Sequence, residues 1–180
     1  MKIYIIRHEK VDMEWHKKYN SVSYDEDCNK YDISPVITDK REKIKVSNDV
    51  TIYISALSRT YETACKLFDR RDFIRTPLIS EVPLKSFKDT TKEYPTWLWN
   101  IRGRLQWLNN NKRQDETKVE TIKRANDMIK QIEQANKDCY LVTHGFFMRT
   151  LIKELEKNGY NIIRNNKHRI SNLDIIMAEK

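Results

Sequence analysis

The sequence predicts an α/β protein of three layers, a mostly parallel central sheet with helices on both faces. Two observations carry that expectation. Short, continuous apolar runs rich in β-branched and aromatic residues alternate with segments of helical periodicity, the pattern of strands buried on both faces. In addition, several of these runs end in charged or imidazole side chains, as strands do when their carboxyl ends frame a ligand site.

The first run, KIYII at 2–6, reads as a strand, and TIYI at 51–54 as a second. Leu57, Tyr61, Ala64, Leu67 and Phe68 then share one helical face. Residues 79–82 form a weaker strand candidate. Leu98, Ile101, Leu105 and Leu108 mark the next helical face, and Ile122, Ala125, Ile129 and Ile132 another. A third full strand, CYLV at 139–142, precedes a helix carrying Phe147, Leu151 and Leu155, and LDIIM at 173–177 reads as a late strand.

At 180 residues, with no repeat, low-complexity tract or Gly/Ser/Pro linker, the chain reads as one domain over 1–180. A chain of this size buries roughly 70% of its unfolded surface and needs no metal or disulfide to hold its core. Only three glycines occur, so many turns fall to Asn, Asp, Ser and Lys. Cys28, Cys65 and Cys139 are far apart and odd in number, with no CxxC pair. They indicate reduced thiols, without a disulfide framework or zinc site. The apolar run Ile3 to Ile6 is ended by Arg7 and is too short for a signal peptide or a spanning helix, so a soluble, cytoplasmic protein with no membrane partner is expected.

Thirty-four basic against 26 acidic residues leave a net charge of +8 and a pI near 9.3. That balance favours anionic partners in general. The charge is dispersed, however, and its densest stretches, Lys112-Arg113 and 164–169, read as solvated surface. A nucleic-acid partner therefore rests on net charge alone and is not expected. His16 and His168 lack usable partners and read as surface residues. Trp97, Trp99 and Trp107, close to Arg102 and Arg104, fit an amphipathic helix packed on the core better than a lid.

The chemistry lies just beyond the strand ends. Arg7-His8-Glu9 comes after the first strand, Ser55 to Thr60 with Arg59 after the second, Glu81 in the weak one, and Thr143-His144-Gly145 after the third. Two histidines, two arginines and a carboxylate are thus delivered to one edge of the sheet. This set suits transfer of a phosphoryl group. Guanidinium forks neutralise the equatorial oxygens of a phosphate dianion. One neutral imidazole attacks phosphorus, the other donates to the transferring group, and a carboxylic acid protonates the leaving alkoxide. Permanent arginine charge stands where other enzymes place Mg²⁺, so neither metal nor cofactor is expected.

At these residues the chain resembles the histidine phosphatase superfamily, the phosphoglycerate mutase-like proteins. IYIIRHE at 3–9 is similar to the strand that family closes with Arg-His-Gly, with Glu9 in place of the glycine. SALSRTYETA at 55–64 is similar to its Ser-x-x-x-Arg-x-x-x-Thr-Ala stretch, and LVTHG at 141–145 to its second histidine. Glu81 matches its acid/base glutamate in placement, and Glu116-Thr117 with Arg124 echoes a further Glu-Ser and arginine. The resemblance spans residues 2–157. It implies catalysis by His8, Glu81 and His144: His8 becomes phosphohistidine, Arg7, Arg59 and His144 bind the phosphoryl group, and Glu81 donates the proton.

The function so implied is a metal-independent phosphatase hydrolysing phosphomonoesters of small metabolites. A phosphoglycerate-type mutase and a catalytically silent anion-binding member are the alternatives. The family's mutases are typically longer, with insertions that enclose the substrate, which favours hydrolysis. Substrate selection is expected in residues 10–38 and 84–112, the latter a candidate lid.

Overall fold

The computed structural model describes residues 1–37, 42–163 and 170–180. In chain order its elements are β1 (Lys2–Arg7), β2 (Lys18–Tyr19), α1 (Ser21–Ile33), β3 (Thr51–Ile54), α2 (Ser58–Leu67), β4 (Ile74–Arg75), β5 (Tyr94–Pro95), α3 (Thr96–Leu108), α4 (Lys118–Ala135), β6 (Cys139–Thr143), α5 (Gly145–Lys157), β7 (Asn161–Ile163) and β8 (Ile175–Glu179), with a single 3₁₀ turn at Pro77–Ile79. Six strands form one sheet in the order β4-β3-β6-β1-β8-β7. β1, β3, β4 and β6 run parallel, while β8 and β7 are antiparallel additions at one side.

The pleat sorts the strand residues between two cores. Ile3, Ile5 and Leu141 face Ile129, Ile132, Phe147 and Leu151 of α4 and α5. Ile6, Ile52, Ile54 and Val142 face Ala64, Leu67 and Phe68 of α2 and its end. Helices on both faces of a mostly parallel sheet are the three layers the sequence predicts. No helix among the described residues is long and apolar enough to cross a membrane.

The structure corrects four expectations. Residues 79–82 are not a strand: a 3₁₀ turn begins at Pro77 and irregular backbone continues from it. Ile79 and Val82 are nevertheless fully buried, and side chains replace the ladder partners that their neighbours' carbonyls would need. Arg124 donates to the carbonyls of Leu78 and Ser80, Thr143 to that of Ile79, and Arg104 to those of Val82 and Pro83. The late strand begins two residues beyond its expected start, because Leu173 adopts φ 63° in the turn that returns the chain to β1.

The helical faces of α2 and α3 are also turned from the predicted ones. In α2, Tyr61 points outward while Arg59, Thr60 and Thr63 face in, since the helix opens at the polar end of the sheet. In α3, Ile101 and Leu105 are about half exposed (52% and 46%), and Trp99, Gly103 and Trp107 form the inner face. Gly103 decides that orientation: a Cβ there would lie 2.6 Å from Leu84 Cδ1 and 3.3 Å from the Lys85 carbonyl. Trp99 and Trp107 pack inward with satisfied indole N–H groups, on the Tyr19 carbonyl and Thr121 Oγ1, whereas Trp97 is exposed.

The two segments expected to select substrate pack on each other. β2 pairs with β5, and Tyr19, Tyr24 and Trp99 form a small aromatic core with Leu84, Phe87 and Tyr94 around it. α1 had no sequence signal, because it buries only Ser21 and Tyr24 and has no apolar stripe. The three thiols are free. Arg113 is tied to Asp89 and to the Ser86 carbonyl, so one half of the Lys112-Arg113 pair is engaged. The basic stretch 164–169, with His168, lies outside the described residues.

Candidate active site

The parallel strands β1, β3 and β6 end side by side, and the residues immediately after them converge. His8 directly succeeds β1. Its backbone N–H donates to the Thr143 carbonyl at 2.9 Å, and Asn172 Nδ2 donates to its own carbonyl at 2.8 Å. The ring is buried, with Nδ1 2.6 Å from the Glu9 carbonyl. A carbonyl only accepts, so Nδ1 carries the proton and Nε2 keeps a lone pair. Burial, then the Arg59 charge, push the His8 pKa down to about 3; the bond to Glu9 opposes this and Arg7 adds to it.

His144 comes directly after β6 and is the N-cap of α5. Its ring is fully buried, 4.9 Å from that of His8 between centroids. Burial, followed by the neighbouring His8, Arg59, Arg124 and Arg7, holds its pKa well below the ordinary imidazole value. Both ring nitrogens are already engaged, Nδ1 by Arg59 Nε at 3.2 Å and Nε2 by Ser55 Oγ at 2.7 Å. The expected donation from His144 to a phosphoryl group is thus not set up in this arrangement.

Arg59 lies in the first turn of α2 with no exposed surface. Its Nη1 donates to Asp32 Oδ1 at 3.0 Å, and the guanidinium lies over the Tyr31 ring at 5.0 Å. Arg7 donates from Nη1 to the Ile170 carbonyl at 2.7 Å. Its guanidinium crosses the start of α5 so closely that a Cβ on Gly145 would lie 2.8 Å from Arg7 Nε. Two buried donors, Arg7 Nε and Arg59 Nη2, have no hydrogen-bond partner among the described residues. Unpaired buried N–H groups cost about 1–3 kcal/mol or more each, a cost that an anion would relieve.

Glu81 is brought to this edge from the irregular segment, not from a strand end. Its Oε1 accepts the Val82 and Phe147 N–H groups at 3.0 and 2.9 Å, and Oε2 the Phe146 N–H at 3.2 Å. It therefore binds the N-terminus of α5, where a negative charge suits the helix dipole. Glu116 and Arg124, paired at 2.7 and 3.1 Å, fix this segment through the Leu78 and Ser80 carbonyls. Glu9 turns away from His8. Its carboxylate meets Lys66 Nζ of α2 at 2.9 Å, and its N–H donates to Thr63 Oγ1. The carboxylate in the glycine position thus has its charge matched outside the site.

Beside these groups opens a cavity of about 530 Å³, lined among others by Trp15, Tyr31, Arg59, Glu81, Leu84 and Arg104. Sequence reasoning missed Ser55, Asp32 and Tyr31 as members of the site. Ser55 had a signal, as the first residue of the stretch that holds Arg59. Asp32 and Tyr31 had none, since they end a helix without periodicity. His16 is an exposed side chain 3.9 Å from Asp27, in keeping with a surface residue.

The carboxyl ends of the parallel strands thus gather two neutral histidines, the fully buried Arg59 and the half-buried Arg7, a set whose charge suits an anion. The profile of the histidine phosphatase superfamily (branch 1) matches residues 40–179, and the chain belongs to that family. The matched stretch contains Arg59, Glu81 and His144, while Arg7 and His8 precede it. No curated protein sequence matches the chain. Solved structures share the fold at low identity. An Entamoeba histolytica phosphoserine phosphatase variant in complex with phosphoserine superposes with a TM-score of 0.56 at 18% identity, covering 98% of this chain and 89% of that one. A protein described as mycobacterial hydrolase 1 gives 0.53 at 15%, with 99% and 97% covered. A mycobacterial glucosyl-3-phosphoglycerate phosphatase with bound VO₃ gives 0.51 at 18%, with 87% and 82% covered.

Proposed function

We infer that the protein is a phosphatase of small phosphorylated metabolites that works through a phosphohistidine at His8. The observation that carries this reading is the state of the His8 ring: Nδ1 is fixed on the Glu9 carbonyl, Nε2 is left as a lone pair, and the unpartnered Arg7 Nε and Arg59 Nη2 lie in the same cluster. A neutral, oriented imidazole flanked by permanent cations is what in-line attack on a phosphate dianion requires. The bond from Nε2 to phosphorus forms as the ester oxygen leaves, and water later cleaves the phosphoramidate. A cavity of about 530 Å³ suits a small metabolite.

The charges come from Arg7 and Arg59, so activity on an aryl phosphate is expected to persist in EDTA and to be blocked by vanadate, a trigonal-bipyramidal phosphate mimic. Activity that disappears with the chelator and returns with Mg²⁺ or Zn²⁺ would remove the arginines as the whole electrostatic apparatus.

Glu81 is the carboxylate closest in role to the leaving-group acid, but it caps α5 through the Phe146 and Phe147 N–H groups and also accepts the Val82 N–H. To act, it has to release one of them and turn a protonated oxygen to the ester. Glu81→Gln is expected to slow alkyl phosphates by roughly 10²–10⁴-fold while sparing aryl phosphates, whose leaving groups need no proton. Equal losses on both substrates would remove Glu81 from the acid role and leave it the cap of α5.

A further inference from the structure

The protons around His144 can be placed one at a time. Arg59 Nε has only a proton to give, so His144 Nδ1, 3.2 Å away, holds the lone pair of the ring. A neutral ring then carries its proton on Nε2, which donates to Ser55 Oγ at 2.7 Å. That oxygen also accepts the Leu57 N–H at 3.1 Å. The Ser55 hydroxyl proton is left for Thr60 Oγ1 at 3.0 Å, and the Thr60 hydroxyl ends the chain on the Leu57 carbonyl at 2.9 Å. Ser55, Arg59, Thr60 and His144 are all fully buried.

The consequence concerns an incoming anion. A phosphoryl oxygen that takes the Arg59 fork through Nε and Nη2 removes the donor from His144 Nδ1. Two lone pairs would then face each other in a dry site. We propose that Ser55 makes His144 a proton acceptor coupled to anion binding: the oxyanion takes the Arg59 Nε–H, and Nδ1 gains one proton while Ser55 keeps the Nε2–H. The ring goes from neutral to +1, and the proton leaves either the monoanionic ester or solvent; nothing is oxidised or reduced. His8 is not the acceptor, since its Nδ1 proton rests on Glu9 and its Nε2 pair is the nucleophile.

Among the described residues, the charges that act most on the ring are those of His8, Arg59, Arg124 and Arg7, none of them anionic. Glu81 is bound to the α5 backbone and Asp32 to Arg59 Nη1. With no carboxylate among the described residues bonded to it, the ring has no reason to charge until a dianion arrives. Ser55 is on this account a positioning residue, and the proposal rests on the phosphate-site reading above.

The test uses sulfate, a dianion at neutral pH with no proton of its own. Calorimetry of the whole protein at pH 7–8, in buffers of different ionisation enthalpy, should show uptake of about one proton per sulfate, and affinity should fall about tenfold per unit rise in pH. Histidine ¹⁵N spectra should show His144 as the Nε2–H form alone and protonated on both nitrogens with sulfate, His8 remaining Nδ1–H throughout. Ser55→Ala should weaken sulfate binding by about tenfold or more and cut the proton uptake, with Thr60→Val acting in the same direction. Sulfate bound without proton uptake, His144 found as Nδ1–H in the free protein, or two unchanged variants would each overturn the proposal while leaving the phosphatase reading intact. Absence of sulfate binding would overturn both.

Discussion

His8→Ala should give a folded protein that has lost turnover by roughly 10⁴-fold or more and takes up no phosphoryl group. The wild type, mixed briefly with a phosphomonoester and quenched without acid, should be heavier by one phosphoryl group on an acid-labile histidine; the variant should not. The fold should survive, because alanine keeps the backbone bonds to Thr143 and Asn172, and the losses are the ring's bond to the Glu9 carbonyl and its contact with the His144 ring. That bond is worth about 1 kcal/mol, a shift of a few degrees in melting temperature. With the His8 pKa near 3, the nucleophile stays neutral through pH 6.5. Any acid limb of kcat/KM near 6.5 then belongs to another group. Wild-type turnover with no phosphohistidine at His8 under any quench would defeat the central reading.

Arg59→Met should lower kcat/KM by roughly 10²–10⁴-fold and weaken vanadate binding in parallel. Two charge-assisted donors, Nε and Nη2, are removed, each worth about 1.5–3 kcal/mol to a bound oxyanion. Stability should fall by no more than about 1–3 kcal/mol, the cost of leaving the buried His144 Nδ1 without its donor. The Asp32 side chain, 44% exposed, regains water when its partner goes, and methionine fills much of the buried volume. Arg59→Lys should not rescue, since an ammonium cannot hold Asp32 and still present two donors to an anion in the directions of a planar fork. A loss smaller than tenfold would show that Arg7 carries the phosphoryl group without Arg59.

The strands and their chemical ends were legible because both are local facts. KIYII, TIYI and CYLV are continuous apolar runs, and the residues next after a strand in sequence necessarily stand at its carboxyl end. Arg7, His8, Arg59 and His144 therefore meet as expected. The errors have one physical source, which is that apolar periodicity cannot see a polar interior or a crowded backbone. α2 turns Thr60 and Thr63 inward because they border the site, and α3 turns Gly103 inward because Leu84 leaves no room for a Cβ. Residues 79–82 imitate a strand in composition, yet three side chains satisfy their carbonyls in place of a neighbour. Asp32, which holds Arg59, was illegible, since nothing in α1 marks which of its many polar residues meets the core.

The register of the central strands also governs when the site comes into being. Arg7 pairs with Thr143 and Ile54 with Val142, so β6 is the strand that joins the other two. Such pairings close long loops, whose entropy has to be met before any contact repays it, and topologies of this kind fold slowly. His8 is made well before residue 143, and until that residue is in place it has no Thr143 carbonyl to receive its N–H and no second imidazole beside it. Before that it is an ordinary hydrated histidine that takes a proton near pH 6.5. The neutral, oriented state of the ring is thus acquired with the closing of the sheet, and a partly folded chain carries the sequence of the site without its geometry.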